Sequence, residues 1–264
     1  MNSYIQLCDN FVIKKENPHF PEALKYIILN DIGAPVVKLI DTIIDDNDTY
    51  LVLERVRDNN LDSSMFSDFN IIMELICKMN SLRNDLYPRV NLQYYQNYWN
   101  VFNHLHDVAI SSDLFEVDIL KCLPKPNDIF TKFLGIMQQS DMVISHGDPA
   151  NSNMGFRRSQ MIFFDLGLSF QSHPMVDFSL RTGAQATKYP SNMSISDEIN
   201  RYLDKINYNC TNSKSVYFII SCILGCYMEQ TAIDSVFKDG KSSKYYGWCN
   251  NTLKRYIKFS SGVF

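Results

Sequence analysis

The stretch Val143-Ile144-Ser145-His146-Gly147-Asp148-Pro149-Ala150-Asn151-Ser152-Asn153, followed by Ile162-Phe163-Phe164-Asp165-Leu166-Gly167, constrains this chain more than any other. Two short apolar runs each lead into an acidic residue, and an Asn follows the first acid by five positions. Apolar runs of this length bounded by turn formers read as strands, so each acid falls in the loop at a strand end. That placement suits phosphoryl transfer, in which a protein contributes positioning and charge neutralisation rather than covalent chemistry. An acid at the mouth of a loop can accept the proton of a substrate hydroxyl. An amide oxygen one turn later and a second carboxylate from the next hairpin can hold Mg²⁺ against phosphates. Asp148, Asn153 and Asp165 fit those three roles in that order.

The pattern His-Gly-Asp-x-x-x-x-Asn followed by Asp-Leu-Gly resembles the aminoglycoside phosphotransferase and choline kinase-like branch of the protein-kinase fold. Protein kinases carry His-Arg-Asp-x-x-x-x-Asn and Asp-Phe-Gly at the same places. Gly147 stands where they have the Arg that pairs with a phosphorylated activation loop, and no long activation segment follows Asp165. The resemblance therefore implies the small-molecule branch. It also implies an α+β fold of two lobes, a small, shortened, β-rich N-terminal lobe over 1–56 and a larger, mostly helical C-terminal lobe over 57–264. ATP and Mg²⁺ are the implied cofactors, and the hydroxyl of a sugar, amino alcohol, aminoglycoside or similar molecule is the implied acceptor.

The remaining implied roles fall along the chain in order. Tyr4–Cys8 and Phe11–Lys15 flank Asp9-Asn10 as a hairpin. The family's strand Lys, which touches the nucleotide phosphates, matches Lys14, with Lys15 as the alternative because alternation sends the two side chains to opposite faces. Pro21 opens a helix that runs to Asn30 before Gly33 and Pro35. Glu22 stands where the family's helix Glu pairs with that Lys. Val36–Ile44 and Thr49–Leu53 predict a second hairpin around the polar turn at 45–48. Glu54-Arg55-Val56 follows at the family's inter-lobe hinge, where the backbone of Glu54 and Val56 would meet adenine. Lys14 has only thirteen residues before it, so one strand is expected where the fold normally spends two and a covering loop.

Helices are expected over 68–82, 92–105, 113–121, 127–139, 194–207, 212–230 and 242–259 from apolar residues recurring on one face. The aromatic cluster Tyr94, Tyr95, Tyr98, Trp99 and Phe102 has the spacing of core packing, and His104 and His106 point apart on a helix, which excludes a metal pair. In the resembled family the counterpart of His146 is structural, and that of Asp177 accepts N–H groups of the catalytic loop.

Composition narrows the partners. A net charge of −4 with scattered Lys and Arg gives no basic face for nucleic acid. Seven Cys without a Cys-x-x-Cys spacing argue against a zinc or redox site, and Cys222 and Cys226 read as buried small hydrophobes. The first residues lack the basic and apolar parts of a signal peptide, and the run 216–227 is too short to span a bilayer, so a reduced, cytoplasmic location without membrane insertion is expected. Two alternatives remain: a nucleotide-binding pseudokinase acting through a protein partner, and a protein kinase. Oligomeric state and the identity of the acceptor are not written in the sequence.

Overall fold

The computed structural model describes residues 5–56, 68–93, 95–97, 99–100, 126–138, 141–184, 194–221, 223–224, 238–239 and 242. The chain forms two compact units, one of 1–90, 142–178 and 187–209, the other of 91–141, 179–186 and 210–264. Expectations for His104, His106, Phe102, Cys222, Cys226 and the helices over 113–121 and 242–259 lie outside the described residues.

The first unit begins with a four-stranded antiparallel sheet in the order β1-β2-β4-β3, formed by β1 (Ile5–Leu7), β2 (Phe11–Lys15), β3 (Leu39–Asp45) and β4 (Asp48–Glu54). Both hairpins form where alternation and polar turns predict them. The second turns through Asp46 in the left-handed region, φ 50°. Among the described residues one strand precedes that of Lys14, as expected.

Helix α1 (Ala23–Asp31) lies between the hairpins and buries Lys25, Tyr26, Ile28 and Leu29. It has no side-chain cap of its own. Instead the carboxylate of Glu16, one residue past β2, accepts from the backbone N–H of Glu22 and Ala23 at 2.6 and 2.7 Å. These are two of the orphan donors that open every helix.

Helix α2 (Phe69–Asn80) is capped by Asp68, whose side chain accepts from the N–H of Asn70 and Ile71. Its apolar face, with Ile72, Ile76 and Met79 inaccessible to solvent, packs on β5 (Val143–Ser145) and β7 (Gln160–Phe163). Two strands that alternation does not mark complete the unit's framework. β6 (Met154–Arg157) pairs with β7, and β8 (Phe170–Ser172) returns against β5. β6 was hidden because Gly155 and Met154 give no β-branched signal, and β8 because its three residues mix polar and aromatic types.

In the second unit, helix α3 (Pro126–Met137) brings Phe130 and Phe133 against Trp99 and Tyr95. Trp99 stacks on Phe130 at 4.8 Å between ring centroids, and Tyr95 meets Phe133 edge-on at 5.0 Å. This is the core-packing role expected of the described members of the aromatic cluster. The first unit also contains the start of helix α4 (Met175–Ser179) and helix α5 (Ile195–Lys205), which is capped by Ser194, whereas the π-helical turn at Leu180–Ala184 that continues α4 belongs to the second. No helix among the described residues is long and apolar enough to cross a membrane.

Candidate active site

Each side chain singled out by the motif sits at the end of an element that fixes it. β5 runs through three buried residues and delivers His146, whose ring Nε2 donates to the carbonyl of Phe164 at 2.9 Å. Because a carbonyl can only accept, that nitrogen carries the proton, and Nδ1 is left to accept from the N–H of Asp148 at 3.3 Å. His146 is thus a strut between the two acidic loops.

The fully buried Asp177 supports the same turn from below. Its carboxylate accepts from the backbone N–H of His146 and Gly147, both at 2.8 Å, and from the side chain of Asn80 at 3.0 Å. Burial pushes its pKa up, opposed by the hydrogen bonds from Asn80, Gly147 and His146. Gly147 adopts φ +81°, and a Cβ there would lie 1.9 Å from the carbonyl oxygen of Leu168. The Gly is therefore required by close backbone approach, and no Arg fits in this backbone arrangement.

Beyond the turn, a single 3₁₀ turn over Asn151–Asn153 brings Asn153 back onto Asp148. The Asn153 amide nitrogen donates to the Asp148 carboxylate at 2.9 Å and to its carbonyl at 3.0 Å. The amide oxygen accepts from the Ser152 hydroxyl at 3.4 Å. Strand β7 and Phe164 then deliver Asp165 in the left-handed region, φ 60°, with its side chain half exposed.

Lys14 completes the group. Its ammonium lies 2.6 Å from Glu22 and 2.9 Å from Asp165, while Lys15 turns to the other face and pairs with Asp48 at 2.6 Å. The alternation that left two candidates open thus separates them in space. Burial favours the neutral amine of Lys14, yet Glu22 and Asp165 together outweigh it and hold the pKa above the ordinary value.

Lys14, Asn153 and Asp165 line one cavity of about 860 Å³, together with Val12, Val37, Leu53, Val56 and Phe164. Glu54 and Val56 both reach it at the point where β4 runs out. Partial burial raises the pKa of the Glu54 carboxylate, but the Nε of Arg157 at 3.0 and 2.9 Å and its Nη2 at 2.5 Å donate to it and bring the pKa below the ordinary value. Arg157 also donates to the carbonyl of Val36 at 2.9 Å.

An amide oxygen, a carboxylate and no sulfur or imidazole make a donor set that fits Mg²⁺, which takes one or two protein oxygens and fills its octahedron with water and phosphate. Sequence reasoning missed Glu16, Lys25, Tyr26, Asn80 and Arg157. Lys25 and Tyr26 carried a signal, since they lie three and four residues after Glu22 and therefore share its helix face.

No family model matches the chain, and no curated protein matches its sequence. Solved structures do match. A choline/ethanolamine kinase family protein from Mesorhizobium loti aligns over 98% of this chain and 85% of its own, at TM-score 0.65 and 9% identity. The chain has the protein-kinase-like fold. A choline kinase from Cryptosporidium parvum Iowa II aligns over 99% of this chain and 89% of its own, at TM-score 0.59 and 10% identity. The gentamicin-APH(2″)-IIa complex aligns over 99% and 87%, at 0.53 and 14%. The small strand-rich N-terminal region and the helical C-terminal part expected of that fold are both present.

Proposed function

We propose that this protein is an ATP- and Mg²⁺-dependent phosphotransferase that moves the γ-phosphoryl group to a hydroxyl of a small molecule, with 1–56 covering the nucleotide and 57–264 carrying the catalytic loop and the acceptor. The observation that carries this reading is the Asn153 amide fastened to the Asp148 carboxylate while Asn153, Asp165 and Lys14 share a cavity. A structural Asx turn needs an Asp and a backbone N–H. It does not need an amide, a second acid and a lysine brought together from β2, the catalytic loop and the end of β7.

Asp148 is the general base. It is held in one rotamer by Asn153, so that its carboxylate can take the proton of the attacking hydroxyl as that oxygen bonds to the γ-phosphorus and the bond from the phosphorus to ADP breaks. Asn153 and Asp165 would hold Mg²⁺, which supplies charge neutralisation across the transferring phosphates when bound. Lys14 steadies the nucleotide phosphates, with Glu22 keeping its ammonium in place. The backbone of Glu54 and Val56 faces the base, and Val12, Leu53 and Phe164 give the cavity its apolar walls. The similar solved structures named above include kinases of choline and ethanolamine, and this supports an alcohol acceptor of that size.

The test is transfer of label from γ-labelled ATP in Mg²⁺ to a panel of sugars, amino alcohols and aminoglycosides, read against hydrolysis. Transfer to at least one small acceptor, reduced about 10²-fold or more in Asp148→Asn, is the expected result on the usual scale for a general base. Label on added protein alone would move the reading to a protein kinase. Nucleotide binding without any transfer would move it to a pseudokinase.

A further inference from the structure

One face of α1 grips the backbone that follows the motif's second acid. Glu22, Lys25 and Tyr26 lie on the same side of the helix. The Glu22 carboxylate accepts from the N–H of Leu166 at 2.9 Å, and the Tyr26 hydroxyl accepts from the N–H of Asp165 at 3.1 Å. The Lys25 ammonium donates to the carbonyls of Leu166 and Gly167 at 3.0 and 2.8 Å. It also lies 4.0 Å from the centroid of the Phe170 ring, a cation–π contact that satisfies a buried charge from its remaining side. Lys25 is 2% exposed and Leu166 fully buried.

A lysine here is a costly choice for packing alone, because desolvating an ammonium is expensive and an apolar side chain of that length would fill the same space. What an apolar side chain cannot do is draw two successive carbonyls toward one point. Asp165 needs that restraint. It is a non-glycine residue in the left-handed region, and it must present a half-exposed carboxylate to the cavity rather than relax into an extended strand.

We propose that Lys25 is a positioning residue for the metal-holding acid, fixing the turn at 165–167 so that Asp165 meets the cation with no rearrangement. The proposal rests on the phosphotransferase reading of the site, and it goes beyond that reading by assigning a function to a buried lysine that is not among the residues lining the cavity.

The experiment measures binding of a fluorescent N-methylanthraniloyl-ATP to the full chain, without Mg²⁺ and then across an Mg²⁺ titration, in wild type, Lys25→Met and Lys25→Gln. The expected result is that Lys25→Met raises the Mg²⁺ concentration at half-saturation about tenfold while the Mg²⁺-free nucleotide affinity changes less than about twofold. Lys25→Gln, which keeps one neutral donor, should fall between the two. An Mg²⁺ midpoint unchanged in both variants, or an equal loss of affinity with and without Mg²⁺, overturns the inference and leaves the reading of the site intact. Loss of the cooperative melt in both variants assigns Lys25 to stability alone and also overturns it. Wild type that binds the nucleotide with no Mg²⁺ dependence overturns the reading of the site, and the inference with it.

Discussion

The amide of Asn153 holds Asp148 by two atoms at once, its carboxylate at 2.9 Å and its carbonyl at 3.0 Å. One side chain therefore sets both the rotamer of the candidate base and the curvature of the loop that carries it. Replacing it with Ala should cost more turnover than stability. Asn153→Ala is expected to lower transfer about 10²-fold or more. Its unfolding free energy should fall by about 1–3 kcal/mol, the usual loss when a part-buried hydrogen-bonding side chain is removed. Steady-state kinetics beside urea unfolding separates the two effects, and a variant with full turnover would sever Asn153 from the mechanism.

The neighbouring lysines make an internal control. Lys14 is 14% exposed and bridges Glu22 and Asp165, whereas Lys15 is 37% exposed and its partner Asp48 is 43% exposed. Lys14→Met strands a buried Glu22 beside a second acid, and loss of one partner from a buried pair typically costs about 3–5 kcal/mol. Nucleotide affinity should fall with it. Lys15→Met should leave stability close to that of wild type, as the loss of an exposed ion pair does, and bind nucleotide normally. Parallel denaturation and nucleotide titration of the two variants decide the matter, with equal behaviour counting against the assignment of Lys14.

Gly147 gives a steric prediction. A methyl group on its Cα would meet the carbonyl oxygen of Leu168 at 1.9 Å, and φ of +81° is itself unfavourable for any other residue. Gly147→Ala should destabilise by about 3 kcal/mol or more, within the range reserved for strain and overpacking at special backbone positions. The midpoint of chemical unfolding reports this directly, and a neutral substitution would show that the loop between Gly147 and Leu168 can separate.

His173 predicts the acid limb of stability. It is buried beside Tyr208, its Nδ1 accepts from the N–H of Met175 at 3.2 Å, and burial lowers its pKa to about 4 from 6.5. Folding excludes a proton that the unfolded chain binds between those pH values. The stability associated with neutral His173 is thus fully present above pH 6.5 and is lost as pH falls toward 4. At about 1.4 kcal/mol per pH unit the loss reaches roughly 3 kcal/mol. His173→Asn keeps an acceptor for Met175 and has nothing to titrate, so its melting temperature should fall less than that of wild type between pH 6.5 and 4. Parallel acid profiles would refute this attribution.

Legibility in the sequence followed the length scale of the interactions. Both N-terminal hairpins, α1, α2 and α5 were readable because their signals are local: alternation, polar turns and apolar residues recurring on one helix face. That Asn153 would return to Asp148 and share a cavity with Asp165 was readable from the spacing of the motif, and the strand period put Lys14 and Lys15 on opposite faces. What stayed hidden depends on residues far apart in the chain. Arg157 holds Glu54 across 103 positions, Lys25 holds Leu166 across 141, and Tyr26 meets Asp165 across 139. No periodicity encodes such partners. Gly147 was visible as a departure from the protein-kinase motif, but the reason for it, the carbonyl of Leu168, needed coordinates.

The carboxylate of Glu16 has a bearing on the order of assembly. By tethering the first N–H groups of α1 to the residue after β2, it closes a loop of a few residues, for which the entropic cost is small. Lys14 and Glu22, eight positions apart, can therefore find each other while the nascent chain is still short. Asp165 must cross 151 positions to join them. The Lys14–Glu22 contact is thus local in the chain, whereas the contact with Asp165 can close only after most of the chain has been translated.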